Sequence, residues 1–345
     1  MPGTRRGQPE AMPAVVIQGP EAYAAVAGNT AFREVEDHPF YGGFGRLYYP
    51  AVTADAVADA SITVLIDGAP ALYVPGAIGE GQLAYNGMAL RFFFAAGCDR
   101  SIREAAVDAA FRHIDAQAAA GRLQRAWVRD EAAAGVLGPI GMAALSRGAA
   151  ISIQLNGWID LSAGEAAQRR ELRKSFRSLI NWGKANMVLS YVNAANPDPS
   201  AFATLQAFHQ KVAGRTTRTQ ASWDAMFAWV AGGGGELVLA HLPDGELVAA
   251  TLVVDGRTEA YYATGVYDRE RFEKPMAHWP LWNAIERARD RGLQRFDLGI
   301  IPLPGAASAK EEAIGYFKRG FAMSIIASAE WSWSARQARN GDQGG

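Results

Sequence analysis

Two charged residues near the carboxyl end of the chain stand in sequence contexts that suit acyl-group chemistry. Lys318 lies in the segment FKRGF between two phenylalanines, where a cation beside a cleft stabilises a developing oxyanion or binds a substrate phosphate. Asp297 alternates with Phe296 and Leu298 at the carboxyl end of a predicted strand, and a carboxylate placed there can accept the proton of an attacking amine or orient that amine. We therefore select Lys318 and Asp297 as candidate catalytic residues.

Each of these two residues could instead have a purely structural role. A lysine between aromatic residues can cover their rings with its methylene stem and keep its ammonium group in water. An aspartate in a strand can pair with a nearby arginine and serve only stability. The residues by themselves leave these alternatives open for Lys318 and Asp297.

A basic segment precedes the middle of the chain. Arg169, Arg173 and Arg177 are spaced four apart, which predicts one face of a helix, with Arg170 and Lys174 beside them. Such a face suits the phosphates of a tRNA or of a nucleotide-linked acceptor. The alternative is a solvated helix face without a ligand.

Other classes of catalytic site lack their sequence patterns. The chain has no Gly-x-Ser-x-Gly or HExxH segment, and His209 and His241 show no metal-ligand spacing, so we expect neither a serine nucleophile nor a metal. The single cysteine, Cys98, excludes an internal disulfide and a cysteine-based zinc site. It follows an apolar run, so we expect an inert thiol.

Length and composition predict a globular protein of two domains. The chain has 345 residues, of which 49% are hydrophobic and 20% charged. A net charge of −1 gives no overall field that would recruit DNA. There is no apolar leader segment and no run of about 20 apolar residues, so we expect a cytoplasmic protein without a membrane span.

The C-terminal half predicts a three-stranded meander followed by a helix and further strands. Asp244-Gly245 and Asp255-Gly256 separate the strands, and Asp-Gly pairs favour tight type I′ turns. The helix has an apolar stripe at helical spacing and a stop at Gly292. The predicted strands are 236–242, 246–254, 258–266, 295–301 and 324–333, the helix is 280–291, and the stripe comprises Leu281, Ala284, Ile285 and Ala288.

The N-terminal half repeats this order more loosely, with a hairpin at Asp67-Gly68 between 61–66 and 69–74 and a helix over 101–120. A Leu-Gln-Arg triplet follows the helix in each half, at 123–125 and at 293–295, which indicates an internal duplication.

The pattern predicts a mixed α/β class, with largely antiparallel sheets, in two tandem domains. We place the domains at 14–155 and 156–335 and expect flexible ends at 1–13 and 336–345. Between the halves we predict a helix over 162–185, a strand over 187–192 and helices over 200–212 and 223–230.

About half of the chain, from Trp158 to Phe321, resembles the second domain of FemAB-like aminoacyltransferases and of related tandem GNAT acyltransferases. Three motifs in order carry the resemblance: an Asp-Leu-Ser start with a basic helix over 158–186, a strand, helix and Phe-Asp-x-Gly strand over 261–300, and a Phe-Lys-x-Gly-Phe signature within 314–322. It implies two GNAT-like domains, of which the first is assigned by symmetry.

The resemblance implies transfer of an aminoacyl or acyl group to an amine of a cell-wall, sugar or peptide precursor, without a covalent nucleophile. Arg177 matches the central arginine of the family's basic helix, and we expect Arg173 beside it to bind substrate. Tyr262 in the second motif, and His278 and Trp279 at the start of its helix, are the further expected substrate-binding residues.

One segment departs from acetyl-CoA-dependent GNAT domains, which hold pyrophosphate on a glycine-rich turn. The equivalent segment here, 267–278, has no glycine, so Arg269, Arg271 and Lys274 are expected to replace the backbone amides. No cofactor is assigned. The expected donor is aminoacyl-tRNA, which would make tRNA a partner besides a small-molecule or peptide amine. The alternatives are an N-acetyltransferase dependent on acetyl-CoA or another acyl-CoA, and a catalytically inactive GNAT-like binding protein.

Overall fold

The computed structural model describes residues 13–53, 57–130, 137–268, 270–271, 273–303, 305 and 307–334. The chain divides into two compact units. Unit 1 contains the chain up to Arg33, Ala58–Ser152 and the chain from Ala329, and unit 2 contains Glu34–Val57 and Ile153–Ser328. Residues 34–57 thus belong to unit 2, although the sequence predicts contiguous domains. The domain boundaries at 14–155 and 156–335 stay a prediction, and the predicted flexible ends lie almost wholly outside the described residues.

The described strands alternate with helices along much of the chain. The strands are β1 Ala14–Gln18, β2 Ala58–Asp59, β3 Ile62–Ile66, β4 Ala69–Val74, β5 Ala77–Gly79, β6 Gln82–Ala84, β7 Phe93–Phe94, β8 Arg125–Asp130, β9 Ala150–Asp160, β10 Val188–Val192, β11 Gly235–His241, β12 Leu247–Asp255, β13 Glu259–Tyr267, β14 Arg295–Ile301 and β15 Ser324–Ser334. The helices are α1 Pro20–Ala24, α2 Arg33–Asp37, α3 Gly43–Thr53, α4 Arg100–Ala119, α5 Pro139–Leu145, α6 Gly164–Glu171, α7 Lys174–Asn186, α8 Pro199–Ala213, α9 Gln220–Ala231, α10 His278–Asp290 and α11 Ala309–Phe321.

Unit 2 contains a sheet in the order β10-β11-β12-β13-β14-β9. All neighbouring pairs are antiparallel except β13 and β14, which are parallel. Helices α7 and α10 pack beside the sheet around a buried core that includes Phe176, Ile180, Trp282, Phe296 and Phe321. The mixed α/β class predicted from the sequence is confirmed.

Unit 1 is built from shorter strands. One sheet has the order β1-β3-β4-β7 and is antiparallel throughout. Another set joins β2, β5, β6 and β8, in which β6 and β8 are parallel, and the Ala329–Ser334 part of β15 pairs antiparallel with β8. In the part of the chain that the structure describes, no helix is long and apolar enough to cross a membrane.

The Asp-Gly turns differ from one another. Asp67 and Gly68 both have positive φ, 50° and 79°, in a two-residue loop between paired Ile66 and Ala69. The type I′ prediction is wrong for the other two pairs, because Asp244 and Asp255 are not in the positive-φ region. The chain still forms the predicted antiparallel meander at these places.

The basic segment is not one helix. Helix α6 ends at Glu171, and α7 begins at Lys174, because Leu172 and Arg173 adopt extended ψ angles of 137° and 129°. Leu172 is thereby buried in the core of unit 2. The prediction of a continuous helix with Arg169, Arg173 and Arg177 on one face is therefore wrong.

Helix α10 agrees with its predicted pattern. Leu281, Ala284, Ile285 and Ala288 are all buried, and the helix ends just before Gly292, which has φ 85°. Helix α11, which carries Lys318, begins at a capping box formed by Ser308 and Glu311. These two helices frame the strand that carries Asp297.

Candidate active site

Residues 36 and 37 are hydrogen-bonded to the turn between β12 and β13. The N–H of Arg257 donates to the carbonyl of Glu36 at 2.7 Å, and the hydroxyl of Thr258 donates to the Asp37 carboxylate at 2.6 Å. A Cβ on Gly256 would lie 2.3 Å from the Asp37 carbonyl oxygen, so only glycine permits this approach. These contacts fix the residue that follows, His38.

His38 and Asp297 form a buried pair. The Nε2 atom of His38 lies 3.2 Å from Oδ2 of Asp297, and the two residues are 5% and 4% exposed. On the other side of the ring, the backbone N–H of Phe40 donates to Nδ1 at 3.2 Å. The rings of Tyr41, Trp158 and Tyr261 surround the imidazole at centroid distances of 5.5, 6.3 and 5.6 Å.

A β-bulge in β14 completes the setting of Asp297. Asp297 pairs with Trp158 of β9 and Gly299 pairs with Gly157, so Leu298 is the extra residue. Gly299 has φ 77°, and its N–H donates to Oδ1 of Asp297 at 2.6 Å. Each carboxylate oxygen of Asp297 therefore accepts one hydrogen bond from the protein.

Lys318 and Tyr261 lie over the same glycine. A Cβ on Gly299 would be 3.2 Å from Nζ of Lys318 and 3.4 Å from the hydroxyl oxygen of Tyr261. Nζ of Lys318 donates to the carbonyl of Ile300 at 3.1 Å. The structure thus brings together the two predicted catalytic residues, Asp297 and Lys318, and adds a tyrosine hydroxyl beside them.

Burial perturbs the titration of the site. Burial lowers the pKa of Lys318, and the negative charge of Asp297 opposes this shift. Burial also raises the pKa of Tyr261, and the charge of Asp297 acts in the same direction. The phenol of Tyr261 therefore stays protonated at neutral pH and can donate a hydrogen bond.

The site lies where β13 and β14 stop pairing. The parallel pairing covers Glu259–Tyr261 and Arg295–Asp297 only, although both strands continue, to Tyr267 and Ile301. Tyr261 and Asp297 are the last register partners. Beyond these two residues the backbones of β13 and β14 are no longer paired with each other.

Arg218 and Tyr48 lie beside Tyr261. Nε of Arg218 donates to the Tyr48 hydroxyl at 3.3 Å, and Nη2 donates to the Ala263 carbonyl at 3.4 Å. The positive charge of Arg218 opposes the rise in the pKa of Tyr261. Arg218 and Tyr48 were not predicted as site residues from the sequence, because they are 170 residues apart along the chain.

Two predicted substrate-binding residues are partly buried and pack against the core of unit 2. Tyr262 packs against the core cluster, and its hydroxyl lies over Gly265, where a Cβ would be 1.6 Å away. Trp279 also packs on this core and against Gly183 of α7. Their roles as substrate-binding residues stay predictions.

Arg173 and His278 meet around Phe176. The His278 ring lies edge-on to Phe176 at 4.5 Å, and the Arg173 guanidinium stacks over Tyr316 at 3.6 Å and Phe176 at 4.9 Å. Nδ1 of His278 and Nη1 of Arg173 are buried without a hydrogen-bond partner among the described residues. Burial lowers the pKa of His278 to about 4, aided by the charge of Arg173 and opposed by the Pro275 carbonyl.

The other predicted phosphate-binding cations differ in their surroundings, and their role stays a prediction. Arg177 is exposed and donates to the Arg170 carbonyl at 3.1 Å. Arg271 pairs with the carboxylates of Glu246 and Asp268, which neutralise it. Lys274 is exposed. Arg269 lies outside the described residues.

Sequence reasoning missed His38 and Tyr261. His38 is 259 residues from Asp297, and no spacing rule links residues so far apart. Tyr261 adjoins the selected Tyr262, and the pairing of β13 with β14 opposite Asp297 decides which tyrosine faces the site. Among the described residues, no group of three or more His, Cys, Asp or Glu side chains could hold a metal ion.

Comparisons with known proteins agree with this architecture. Residues 166–313 match the family model described as "Acetyltransferase (GNAT) domain". The match includes Tyr261 and Asp297, whereas His38 and Lys318 lie outside it. No curated protein matches the chain in sequence.

Solved structures give the fold of the whole chain. FemX superposes with a TM-score of 0.64 at 13% identity, covering 94% of this chain and 97% of FemX. The C-terminal domain of a putative lysylphosphatidylglycerol synthetase from Agrobacterium fabrum gives a TM-score of 0.54 at 13% identity, covering 77% of this chain and 82% of that one. A tandem GNAT protein from the clavulanic acid biosynthesis pathway gives 0.52 at 11% identity, covering 94% and 99%.

These similarities confirm the predicted resemblance to FemAB-like and tandem GNAT proteins. At such low identity the superpositions establish the fold only. The acyltransferase class rests on the GNAT family match, which agrees with the class expected from the sequence.

Proposed function

We propose that this protein transfers an aminoacyl or acyl group to an amine of a cell-wall, sugar or peptide precursor, at the site formed by Asp297, Lys318 and Tyr261. One observation carries the proposal: an acid, a cation and a hydroxyl converge over Gly299, where β13 and β14 separate. Nucleophile-free acyl transfer needs these groups in such proximity.

The proposed step is a direct displacement at the donor carbonyl. The amine nitrogen of the acceptor attacks the carbonyl carbon, a C–N bond forms, and the amine proton passes to the Asp297 carboxylate. The ammonium group of Lys318 stabilises the tetrahedral oxyanion. The bond to the leaving oxygen or sulfur then breaks, and the protonated Tyr261 hydroxyl supplies a proton to the leaving group. The proton taken up by Asp297 then returns to the Tyr261 phenolate, which restores both residues.

We propose aminoacyl-tRNA as the donor. In support, FemX and a domain of a putative lysylphosphatidylglycerol synthetase are among the solved structures of similar fold. The segment 267–278 contains no glycine, so its backbone amides are poorly suited to bind pyrophosphate, because a Cβ hinders the close approach of amides to phosphate. Exposed Arg177 and Lys274, together with Arg173, are the cations available to backbone phosphates. An aminoacyl-tRNA donor places the reaction in the cytoplasm.

Acyl-CoA is the second candidate donor. The matched family is described as an acetyltransferase family, and the tandem GNAT protein of the clavulanic acid pathway was solved in a form without AcCoA. An acyl-CoA enzyme would use the same step, with a thiolate as the leaving group.

Calorimetric titration with acetyl-CoA and with an aminoacyl-tRNA mimic, each at two salt concentrations, separates the two donors. We expect the mimic to bind and its affinity to fall steeply with salt, because several cations would neutralise phosphates. Treatment with RNase should then abolish transfer. Micromolar binding of acetyl-CoA that barely responds to salt, with RNase-resistant transfer, favours the acyl-CoA enzyme. Acceptor binding without turnover from any donor would leave an inactive GNAT-like binding protein.

A further inference from the structure

Both ring nitrogens of His38 are engaged inside the protein. Nδ1 accepts the backbone N–H of Phe40, so the ring proton of neutral His38 resides on Nε2 and is donated to Oδ2 of Asp297. The residue is 5% exposed, and four aromatic rings lie within 6.3 Å of the imidazole centroid. Neither nitrogen of neutral His38 is left to take a proton from a substrate amine.

The two bonds to Asp297 fix its carboxylate. His38 donates to Oδ2 and the N–H of Gly299 donates to Oδ1. Donors on both oxygens define the plane of the carboxylate and stabilise the anion. The titratable groups that face this pair are Tyr41 and Tyr261, around the imidazole, and Lys318, whose amine interacts with the Asp297 charge.

We propose that His38 is a positioning residue that acts through Asp297. As the Nε2–H tautomer it holds the carboxylate oriented toward the acceptor amine, and the bonds of residues 36 and 37 to the turn between β12 and β13 fix its position. This inference rests on the function proposed above. It assigns a role to a residue outside the matched GNAT segment, contributed by the excursion of residues 34–57 into unit 2.

Two substitutions test the two hydrogen bonds of His38 one at a time. In His38→Gln the side-chain amide nitrogen can occupy the place of Nε2 and donate to Asp297, whereas the bond from Phe40 is lost. In His38→Asn the amide oxygen can occupy the place of Nδ1 and accept from Phe40, whereas the side chain is too short to reach Asp297. Both variants retain a polar amide, so their folding should be similarly affected.

We expect His38→Gln to keep turnover within about threefold of wild type, because its amide can still donate to Asp297. We expect His38→Asn to lose about tenfold or more in kcat with little change in KM, because the carboxylate is less well oriented. Equal losses of kcat in both variants, or a greater loss in His38→Gln, would overturn the proposal.

The tautomer provides a test that needs neither turnover nor a variant. ¹⁵N shifts of His38 in the full chain at neutral pH should show a protonated Nε2 and an unprotonated Nδ1, and the reverse pattern would overturn the proposal even if the enzyme is active. If no donor gives transfer while the Nε2–H tautomer is seen, the proposed function fails and the hold of His38 on Asp297 stands.

Discussion

The strands β8 of unit 1 and β14 of unit 2 share one backbone arrangement. In each unit a helix is followed by a glycine of positive φ, Gly121 at 75° and Gly292 at 85°, and then by Leu-Gln-Arg. The N–H groups of the glutamine and the arginine both donate to a single carbonyl, that of Gly81 in unit 1 and that of Thr258 in unit 2. Each strand then runs parallel to a neighbour. These matched bonds support the duplication inferred from the repeated triplet.

The side chains on these matched strands are different. Two residues beyond the shared arginine, unit 1 has Trp127 and unit 2 has Asp297. On the strands that run parallel to β8 and β14, Ala84 of β6 corresponds in register to Tyr261 of β13. In the place of Gly299, unit 1 has Arg129, which pairs with Glu330 at 2.8 Å. Backbone hydrogen bonds do not depend on side-chain identity, so one scaffold can be kept while only one copy carries an acid and a hydroxyl.

Apart from loss of the Asp297 carboxylate, the largest effect is expected from removing the cation of Lys318. Lys318→Ala should reduce turnover about 10²-fold, because it removes the charge proposed to stabilise the oxyanion. Lys184→Ala, at an exposed position of α7, is the control and should leave turnover unchanged. Steady-state rates and melting temperatures should be measured together, and equal rates for both variants would remove Lys318 from the site.

The pH profile of the wild-type enzyme sharpens this test. Because burial lowers the pKa of Lys318 below 10.5, the active ammonium form should be lost as pH rises, at a lower pH than for an ordinary lysine. A profile of kcat against pH should therefore fall on its alkaline side. A flat alkaline side up to the usual lysine range would contradict a role for the ammonium group.

A smaller effect is expected from a methyl group on Gly299. Gly299→Ala, at φ 77°, should cost about 1–2 kcal/mol of stability and should also lower turnover about tenfold, because the Cβ meets Lys318 and Tyr261. Gly292→Ala and Gly121→Ala carry the same backbone strain with nothing within 4 Å of the new Cβ. These two control variants should lose stability but keep the turnover of wild type. A loss of turnover that merely follows stability in all three variants would break the contrast between the units.

The smallest effect concerns acid stability. The pKa of His278 is about 4 in the folded protein against 6.5 for an ordinary histidine, so between these values the unfolded chain binds more protons. Above pH 6.5 His278 is neutral in both states and does not reduce the stability of the folded protein. As the pH falls from 6.5 toward 4, the free energy of unfolding decreases because the unfolded chain takes up the proton first. Between pH 7.5 and 5 the melting temperature of wild type should fall a few degrees further than that of His278→Phe. An equal fall in melting temperature for both proteins would show that a group other than His278 causes the acid sensitivity.

Local patterns in the sequence suffice for much of unit 2. The meander, helix α10 with its apolar stripe and the strand carrying Asp297 are set by alternation, helical spacing and glycine stops that act over a few residues. The break between α6 and α7 was not predicted, because it follows from burial of Leu172 in the tertiary core. Tertiary packing there overrides a strong local helix pattern.

The candidate site is only partly predictable for the same reason. Asp297 and Lys318 stand in short motifs, and the structure brings them together over Gly299. His38 reaches Asp297 only because residues 36–37 bond to the turn between β12 and β13, a contact between distant segments. The choice of Tyr261 over Tyr262 depends on strand register. Neither feature has a signature in a single sequence.

Formation of an amide product tests the central claim most directly. Wild type, Asp297→Asn and Trp127→Phe should each be incubated with aminoacyl-tRNA or acetyl-CoA and a pool of amine acceptors, and the new amides measured by mass spectrometry. We expect wild type and Trp127→Phe to form the same amide at rates within about twofold, and Asp297→Asn to be slower by about 10² or more while remaining folded. Undiminished amide formation by Asp297→Asn, or its loss in Trp127→Phe alone, would contradict an active site in unit 2.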